Sequence, residues 1–411
     1  MPEIPHMVLR YPQWLIVAVL AACLTGGCND APSTVGAEFL PDTSQLRVLS
    51  SEDTLLIEAT FTERIAQPLF NTGILYLGRV GNLEARTLLR FTDIPETLAT
   101  VSPDQILSAT LILTPQRYAL GDTSSGATFV PFRIHKVLRL WTPQATWDSL
   151  FAAGDAGILD PVELGQWDAP IPLQDTVEPV RVELSSAGRE LLAEWFRWQA
   201  DSTLRQQIYG IALVPSPGAQ AVRAFSTQAI GQLTRPAPML EVVYRRSPDQ
   251  NDTLRLTAGY AGSFLSPVAA DTSQYLVLQP GIAYRPALSI RLDALPALAA
   301  LHRAELRLPL DTAACWTGNR ERSRFLILTP ADSGAPSWLT TTATYDATSG
   351  AYISKSIAPM LEYWLRRSRR GKLLITLQGA ELYGHLDRLT LRRLGSAVPE
   401  LILVYSERPQ P

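Results

Sequence analysis

The chain has 411 residues, of which 46% are hydrophobic and 18% charged, a balance that excludes a disordered tail, a collagen-like repeat and a coiled coil. Its 36 Lys+Arg stand against 39 Asp+Glu, a net charge of -3, so the basic excess of a dedicated nucleic-acid binder is missing. Three cysteines cannot build a disulfide framework.

In chain order, the first element is the apolar run Trp14–Leu24, preceded by Arg10 as the only basic residue. A helix needs about 20 apolar residues to cross a hydrocarbon core of roughly 30 Å, so this shorter run reads as the apolar region of a secretory signal. Small residues precede two cysteines, in Leu20-Ala21-Ala22-Cys23 and Thr25-Gly26-Gly27-Cys28. Both resemble the lipobox of bacterial lipoproteins, in which the cysteine thiol is lipidated. Cys23 has the better Leu upstream, whereas Cys28 has the more usual apolar length and a polar mature start. A cleaved ordinary signal or a single-pass anchor is the alternative. Residues 1–27 are thus expected as a lipoprotein signal peptide, and 28–48, rich in Asp, Pro, Ser and Thr, as a flexible tether. Two acyl chains anchor stably, which places the body at the membrane of a bacterial cell envelope, expected to be the outer membrane, on a side the sequence leaves open.

The remainder carries an internal repeat. Asp53-Thr54-Leu55 and Tyr76-Leu77 recur as Asp252-Thr253-Leu254 and Tyr275-Leu276, displaced by 199 residues, as do Arg86 and Leu89 in Arg285 and Leu288. Ala109–Leu113 answers Ala304–Leu308, Ala145–Asp148 answers Ala343–Asp346, and Pro238–Tyr244 answers Pro399–Tyr405. The preserved order predicts two copies of one domain, 49–246 and 253–407, joined by a polar linker at 247–252.

Within the first copy, Thr54–Phe61, Gly73–Gly78, Thr87–Phe91, Ser108–Leu113, Phe132–Val137, Val180–Leu184, Tyr209–Val214 and Met239–Tyr244 are short, rich in β-branched and aromatic residues, and separated by Gly, Pro, Asp and Ser. They predict a mainly β fold: two tandem antiparallel β-sandwiches of jelly-roll type, each with one short helix. The helix of the first copy follows Ser185 as N-cap and carries Leu191, Leu192, Trp195 and Phe196 on one face. Its counterpart runs over Ser356–Leu365, with Trp364 in place of Trp195.

The series Arg86–Pro95, Ile106–Leu113, Val137–Trp147, helix, Gly210–Leu213, Ala224–Thr227 and Pro238–Val242 resembles the DNRLRE-type domain. That family is a jelly-roll β-sandwich of secreted bacterial and archaeal proteins, grouped with carbohydrate-binding modules. The resemblance covers the first copy well and the second weakly, since Tyr345 stands where Trp147 stood. With the lipobox and Val35–Pro41, the chain is also similar to Bacteroidota-type lipoproteins of comparable length. The resemblance implies the fold and a carbohydrate-binding role, and it carries no ligand residue onto this chain.

Four tryptophans are candidates for stacking on a sugar, because an exposed indole covers the apolar face of a pyranose. Trp141 and Trp147 form a pair that also fits the interior pattern of the family, while Trp167 and Trp338 lie in loop-like segments, where binding sites concentrate. Arg366, Arg367, Arg369, Arg370 and Lys372 follow the second helix, either as a solvated helix end or as a site for an acidic glycan or a lipid phosphate. Asp122, Asp148, Asp155 and Asp160 are the weak candidates for calcium, without EF-hand spacing; no other cofactor is expected. Cys315 reads as a small buried hydrophobe. His135, His302 and His385 are scattered, and no catalytic motif is present, so no catalytic residue is assigned. The expected function is a non-enzymatic, lipid-anchored envelope protein that binds a glycan or a partner protein. The alternatives are a structural or accessory subunit of an outer-membrane assembly, and a polysaccharide lyase or glycosidase whose paired carboxylates are far apart in sequence.

Overall fold

The computed structural model describes residues 46–174, 178–229, 236–282, 284–379, 381–395 and 397–407. Cys23, Cys28, the apolar run before Cys28 and most of the expected tether lie outside the described residues. Among the described residues, no helix is long and apolar enough to cross a membrane.

The protein is mainly β. Its first strands are β1 (Arg47–Ser50), β2 (Ile57–Arg64), β3 (Leu69–Phe70), β4 (Thr72–Val80), β5 (Leu83–Phe91), β6 (Ile106–Leu113), β7 (Pro115–Gly121), β8 (Ala127–Phe129) and β9 (Phe132–Val137). Helix α1 (Trp147–Leu150) precedes β10 (Leu159–Trp167), β11 (Pro170–Pro172) and β12 (Val180–Glu183), and then come α2 (Ser186–Gln199) and α3 (Ser202–Arg205). The next strands are β13 (Ile211–Pro215), β14 (Ala221–Ala229), β15 (Met239–Ser247), β16 (Gln250–Leu265), β17 (Tyr275–Leu278), β18 (Tyr284–Arg291), β19 (Ala299–Pro309), β20 (Phe325–Pro330), β21 (Thr341–Asp346) and β22 (Ala351–Ser354). The chain ends with α4 (Ala358–Leu365), β23 (Arg370–Thr376), α5 (Glu381–Gly384), β24 (Leu389–Arg392) and β25 (Glu400–Glu407). Every pairing of these strands is antiparallel.

Among the described residues two large sheet systems result, beside the two-stranded sheets β8–β11 and β17–β24. The first runs β10-β9-β13-β5-β16-β15-β6-β12, with β3, β4, β7 and β14 attached beside β5 and β16; the second runs β1-β25-β19-β22-β21-β20-β23-β18-β2. Side chains alternate across each strand: in β12, Val180 and Val182 point inward while Arg181 and Glu183 face solvent. The inward sets close two main cores. One contains Leu75, Phe91, Leu111, Phe132, Val182 and Leu240, and the other Leu288, Leu306, Leu328, Ile375 and Leu403. Each such buried side chain contributes about 1.5–3 kcal/mol of transfer free energy.

The two helices behave as their periodicity predicts. Ser185 caps α2 by accepting from the Gly188 N–H at 3.4 Å, and Leu191, Leu192, Trp195 and Phe196 are buried in the first core. In α4, Met360, Leu361, Trp364 and Leu365 repeat the same spacing in the second core.

The strand orders correspond place by place. The row β16-β15-β6-β12 matches β1-β25-β19-β22, and β10-β9-β13-β5-β16 matches β21-β20-β23-β18-β2. One long strand, β16, therefore stands where β1 and β2 stand in the second system: its first half pairs with β15 and its second half with β5. The terminal strands are exchanged with respect to the two copies expected from the sequence. β16 lies in the second copy and completes the first sheet system, whereas β1 and β2 come from the start of the chain and pair with β25 and β18.

Two sequence expectations change here. Residues 247–252, expected as a linker, form the turn and flank of the β15–β16 hairpin, in which Ser247 opposes Gln250; the polar stretch makes a tight reversal rather than a spacer. Ala145–Asp148 spans the start of α1, with Thr146 as its N-cap, whereas its sequence match Ala343–Asp346 lies in β21. Those two segments hold different places in the strand order.

Candidate functional site

The four tryptophans have different fates. Trp141 is 3% exposed, packs edge-on against Phe70 and Phe264, and donates its indole N–H to the Tyr209 carbonyl at 3.0 Å. It is core and offers no face to a ligand, which corrects the expectation of stacking there. Trp147 is covered by the Arg86 guanidinium, 5.1 Å from its ring centre, and by Phe151. Arg86 is held in turn by Glu84 at 2.6 Å and by Asp155. Trp338, in the 3-10 turn Ser337–Leu339, is 70% exposed and makes no ring or cation contact among the described residues.

Trp167 is placed differently. It ends β10 opposite Phe132 of β9, packs partly on the first core, and donates its indole N–H to the Ala169 carbonyl at 2.8 Å. The ring is thus fixed in orientation. It lines a groove of about 370 Å³ together with Pro170, Ile171, Pro172, Gln174, Glu178, Pro179 and Val180. A second depression of about 380 Å³ is lined by Glu163, Gly165, Gln166 and Arg181–Ser185.

Local sequence explains this concavity. β10 meets the residue just after β12 at an isolated bridge, Gly165 with Leu184, reinforced where the Ser185 N–H donates to the Leu164 carbonyl at 2.7 Å. Gly165 allows that approach, because a Cβ there would lie 3.0 Å from the Glu183 carbonyl oxygen. Beyond the bridge, β11 pairs with β8 instead of extending the sheet, and its three residues Pro170, Ile171 and Pro172 wall the groove. Beneath it, Arg223 is fully buried and donates to the Pro172 carbonyl at 2.9 Å. No carboxylate partner is seen for Arg223 among the described residues; burial pushes its guanidinium down to about 10, still charged at neutral pH.

The rims are polar and carry both amides and charged groups. Among the described residues, the side chains of Gln166, Gln174 and Glu178 carry no hydrogen bond or ion pair. Glu183 accepts from the Thr110 hydroxyl at 2.8 Å and the Ala109 N–H at 3.3 Å, and Glu163 lies 3.4 Å from Arg133. Arg181 is taken by Glu241 at 2.6 Å; hydrogen bonds from Arg181 and Arg255 hold the Glu241 carboxyl below the usual carboxylate range. An indole face, apolar walls and free amides suit a polyhydroxylated ligand, since an amide both donates and accepts.

The expected cation cluster does not converge. Arg366 faces Glu362 at 3.9 Å, Arg367 stacks over Tyr363, and Arg370 lies 3.5 Å from Asp293. Arg369 donates to the carbonyls of Leu292 and Leu295, and Lys372 pairs with Glu63 of β2. Nor do the four aspartates gather. Asp122 closes a turn with Ser124, Asp148 binds Arg64 through both oxygens at 2.9 Å, Asp155 pairs with Arg86, and Asp160 accepts from the Val162 N–H. Among the described residues, no three His, Cys, Asp or Glu side chains form a group that would hold a metal ion. Cys315 is half-buried and accepts from the Thr390 N–H at 3.4 Å, and burial pushes its thiol up.

One polar constellation escaped sequence reading. The Tyr118 hydroxyl on β7 donates to Asp387 Oδ1 at 2.7 Å, the same oxygen accepts from the Gly318 N–H at 2.9 Å, and the Leu386 N–H donates to the Tyr118 oxygen at 2.8 Å. The Asp387 N–H donates to His385 Nδ1 at 3.2 Å. Burial, with the Asp387 charge, pushes the Tyr118 hydroxyl well up, and burial pushes the His385 imidazole down. Asn319 adds a two-way contact with the Ala119 backbone. These enclosed groups clasp the two sheet systems together. The only sequence signal was the segment His385-Leu386-Asp387, which carries no motif.

No known protein family matches the chain, and no curated protein does.

Proposed function

We propose that this chain is a lipid-anchored, non-catalytic binding protein of the bacterial cell envelope, and that it holds a glycan in the Trp167 groove. The carrying observation is the fixed, partly exposed indole of Trp167 in a proline-walled groove whose amide, Gln174, has no partner among the described residues. The corresponding strand orders support a finer reading of the fold: two jelly-roll-like β-sandwiches, copies of one domain similar to the DNRLRE type, that exchange their terminal strands. The lipobox supports the anchor at Cys28 or Cys23. Because β1 begins at Arg47 and pairs with β25, the tether leads into the second sheet system and leaves the groove on the other one.

The test is retardation of the protein in gels containing soluble polysaccharides. Trp167→Ala is expected to weaken binding at least tenfold and Trp338→Ala to leave it unchanged. Retardation that is indifferent to Trp167→Ala overturns the proposal.

A further inference from the structure

Corresponding outer sheet faces of the two systems are finished differently. In the first, Leu88 of β5 lies opposite Ala212 of β13 and Gly262 of β16. The β9–β10 connection, residues 138–158, closes this face by laying Trp141, Leu150, Phe151 and Ile158 against Leu88, Ala212 and Phe264. In the second, Ala287 of β18 lies in the same way between Leu374 of β23 and Phe61 of β2. Thr329 and Ile327 of β20 and Thr342 of β21 continue that face, and Phe325 and Thr344 end it; the alternate residues Leu326, Leu328, Ala343, Leu373 and Ile375 point into the second core. The β20–β21 connection, residues 331–340, is only about half as long as its counterpart. Its indole, Trp338, is 70% exposed and Phe325 is 43% exposed, while Ile327, Leu374 and Phe61 stay half-buried. The lysine of the face, Lys372, is already paired with Glu63.

We infer that this face is covered by the same face of a second copy of the chain. The first system shows that such a face takes an indole-bearing connection as its cover, and Trp338 is the indole that a short connection leaves unplaced. Trp338 stands just before β21, at the end of the sheet where Thr341 opposes Leu328, and Phe325 stands toward the other end, opposite Thr344. Two such faces stacked about 10 Å apart around a two-fold axis, with their β20 strands running oppositely, bring Trp338 of each copy to Phe325 of the other. The contact is self-complementary and closes at two copies. Five strands about 4.8 Å apart and about four residues long cover roughly 300 Å², and an indole adds about 150–250 Å². Over both copies that is roughly 1,000 Å², the lower bound of a specific interface. The dimer is therefore weak, and it is dissociated at the low concentrations of gel retardation.

The experiment is sedimentation equilibrium of the full mature chain in an excess of density-matched detergent, from about 10 μM to about 1 mM. The natural chain is expected to pass from one to two copies per particle across that range. Trp338→Ser and Ile327→Lys are each expected to weaken association at least tenfold with an unchanged unfolding temperature, and Trp167→Ala to leave it unchanged. A chain that stays single at about 1 mM overturns the inference, whether or not another protein covers the face. A dimer indifferent to Trp338→Ser or to Ile327→Lys overturns it as well, and particles that keep growing beyond two copies overturn the closed two-fold contact.

Discussion

The same two neighbouring places in the strand order are closed in the second sheet system and open in the first. β21 and β22 pair through Thr344 with Ile353, Tyr345 with Tyr352 and Asp346 with Ala351, whereas β10 and β12 form no ladder and are joined by the Gly165–Leu184 bridge and the Ser185 N–H bond to Leu164 just after β12. The connections make the difference. Residues 347–350 form a tight turn in which Asp346 accepts from the N–H and hydroxyl of Ser349 and Gly350 takes a positive φ of 66°, so the strands leave the turn already in register. After β10 the chain instead runs through β11, which pairs with β8. A short turn seals an edge; a longer connection on a rigid sheet leaves a concave surface, the usual place for binding.

The largest effect is expected from breaking the strand exchange. A fragment 49–246 lacks β16 and with it Leu256, Ala258 and Ala261 of the first core; it is expected to show no cooperative thermal transition by circular dichroism, whereas fragment 66–266 melts sharply. A sharp transition for 49–246 would refute the exchanged arrangement. At the seam itself, Gly165→Val forces a Cβ against the Glu183 carbonyl and is expected to cost about 1–3 kcal/mol in urea unfolding. Thr344→Val, exposed on the closed seam, is expected to stay within about 0.5 kcal/mol. Equal effects would mean that Gly165 does not set the approach of the strands.

A smaller effect concerns the clasp between the two systems. Burial keeps the His385 imidazole below its ordinary value, with Arg320 adding to the effect and Asp387 opposing it in part. As pH falls below about 6.5 the unfolded chain takes up a proton that the folded chain resists. Stability is therefore full above that pH and declines as pH drops toward the folded value. Urea midpoints at pH 7.5 and 5.5 are expected to differ more for the natural chain than for His385→Asn; equal declines would remove His385 from the account.

Local pattern made much of the fold legible. The strand Phe132–Val137 and the helix after Ser185 were readable because alternation and the apolar face at Leu191, Leu192, Trp195 and Phe196 are short-range signals. Which strand completes which sheet was not readable, because pairing of β2 with β18 joins residues more than 200 positions apart and an edge strand has the same composition in either partner. The site was legible only as a set of tryptophans. Burial of Trp141, the covering of Trp147 by Arg86 and the isolation of Trp338 depend on distant residues, and the groove depends on where β11 goes.

The most direct test of the binding face is an NMR titration of the indole N–H signals of the eight tryptophans that follow residue 27 with whichever oligosaccharide binds. The Trp167 signal is expected to move on saturation while those of Trp141 and Trp147 hold their positions; a shift at Trp338 with Trp167 unmoved would contradict the account.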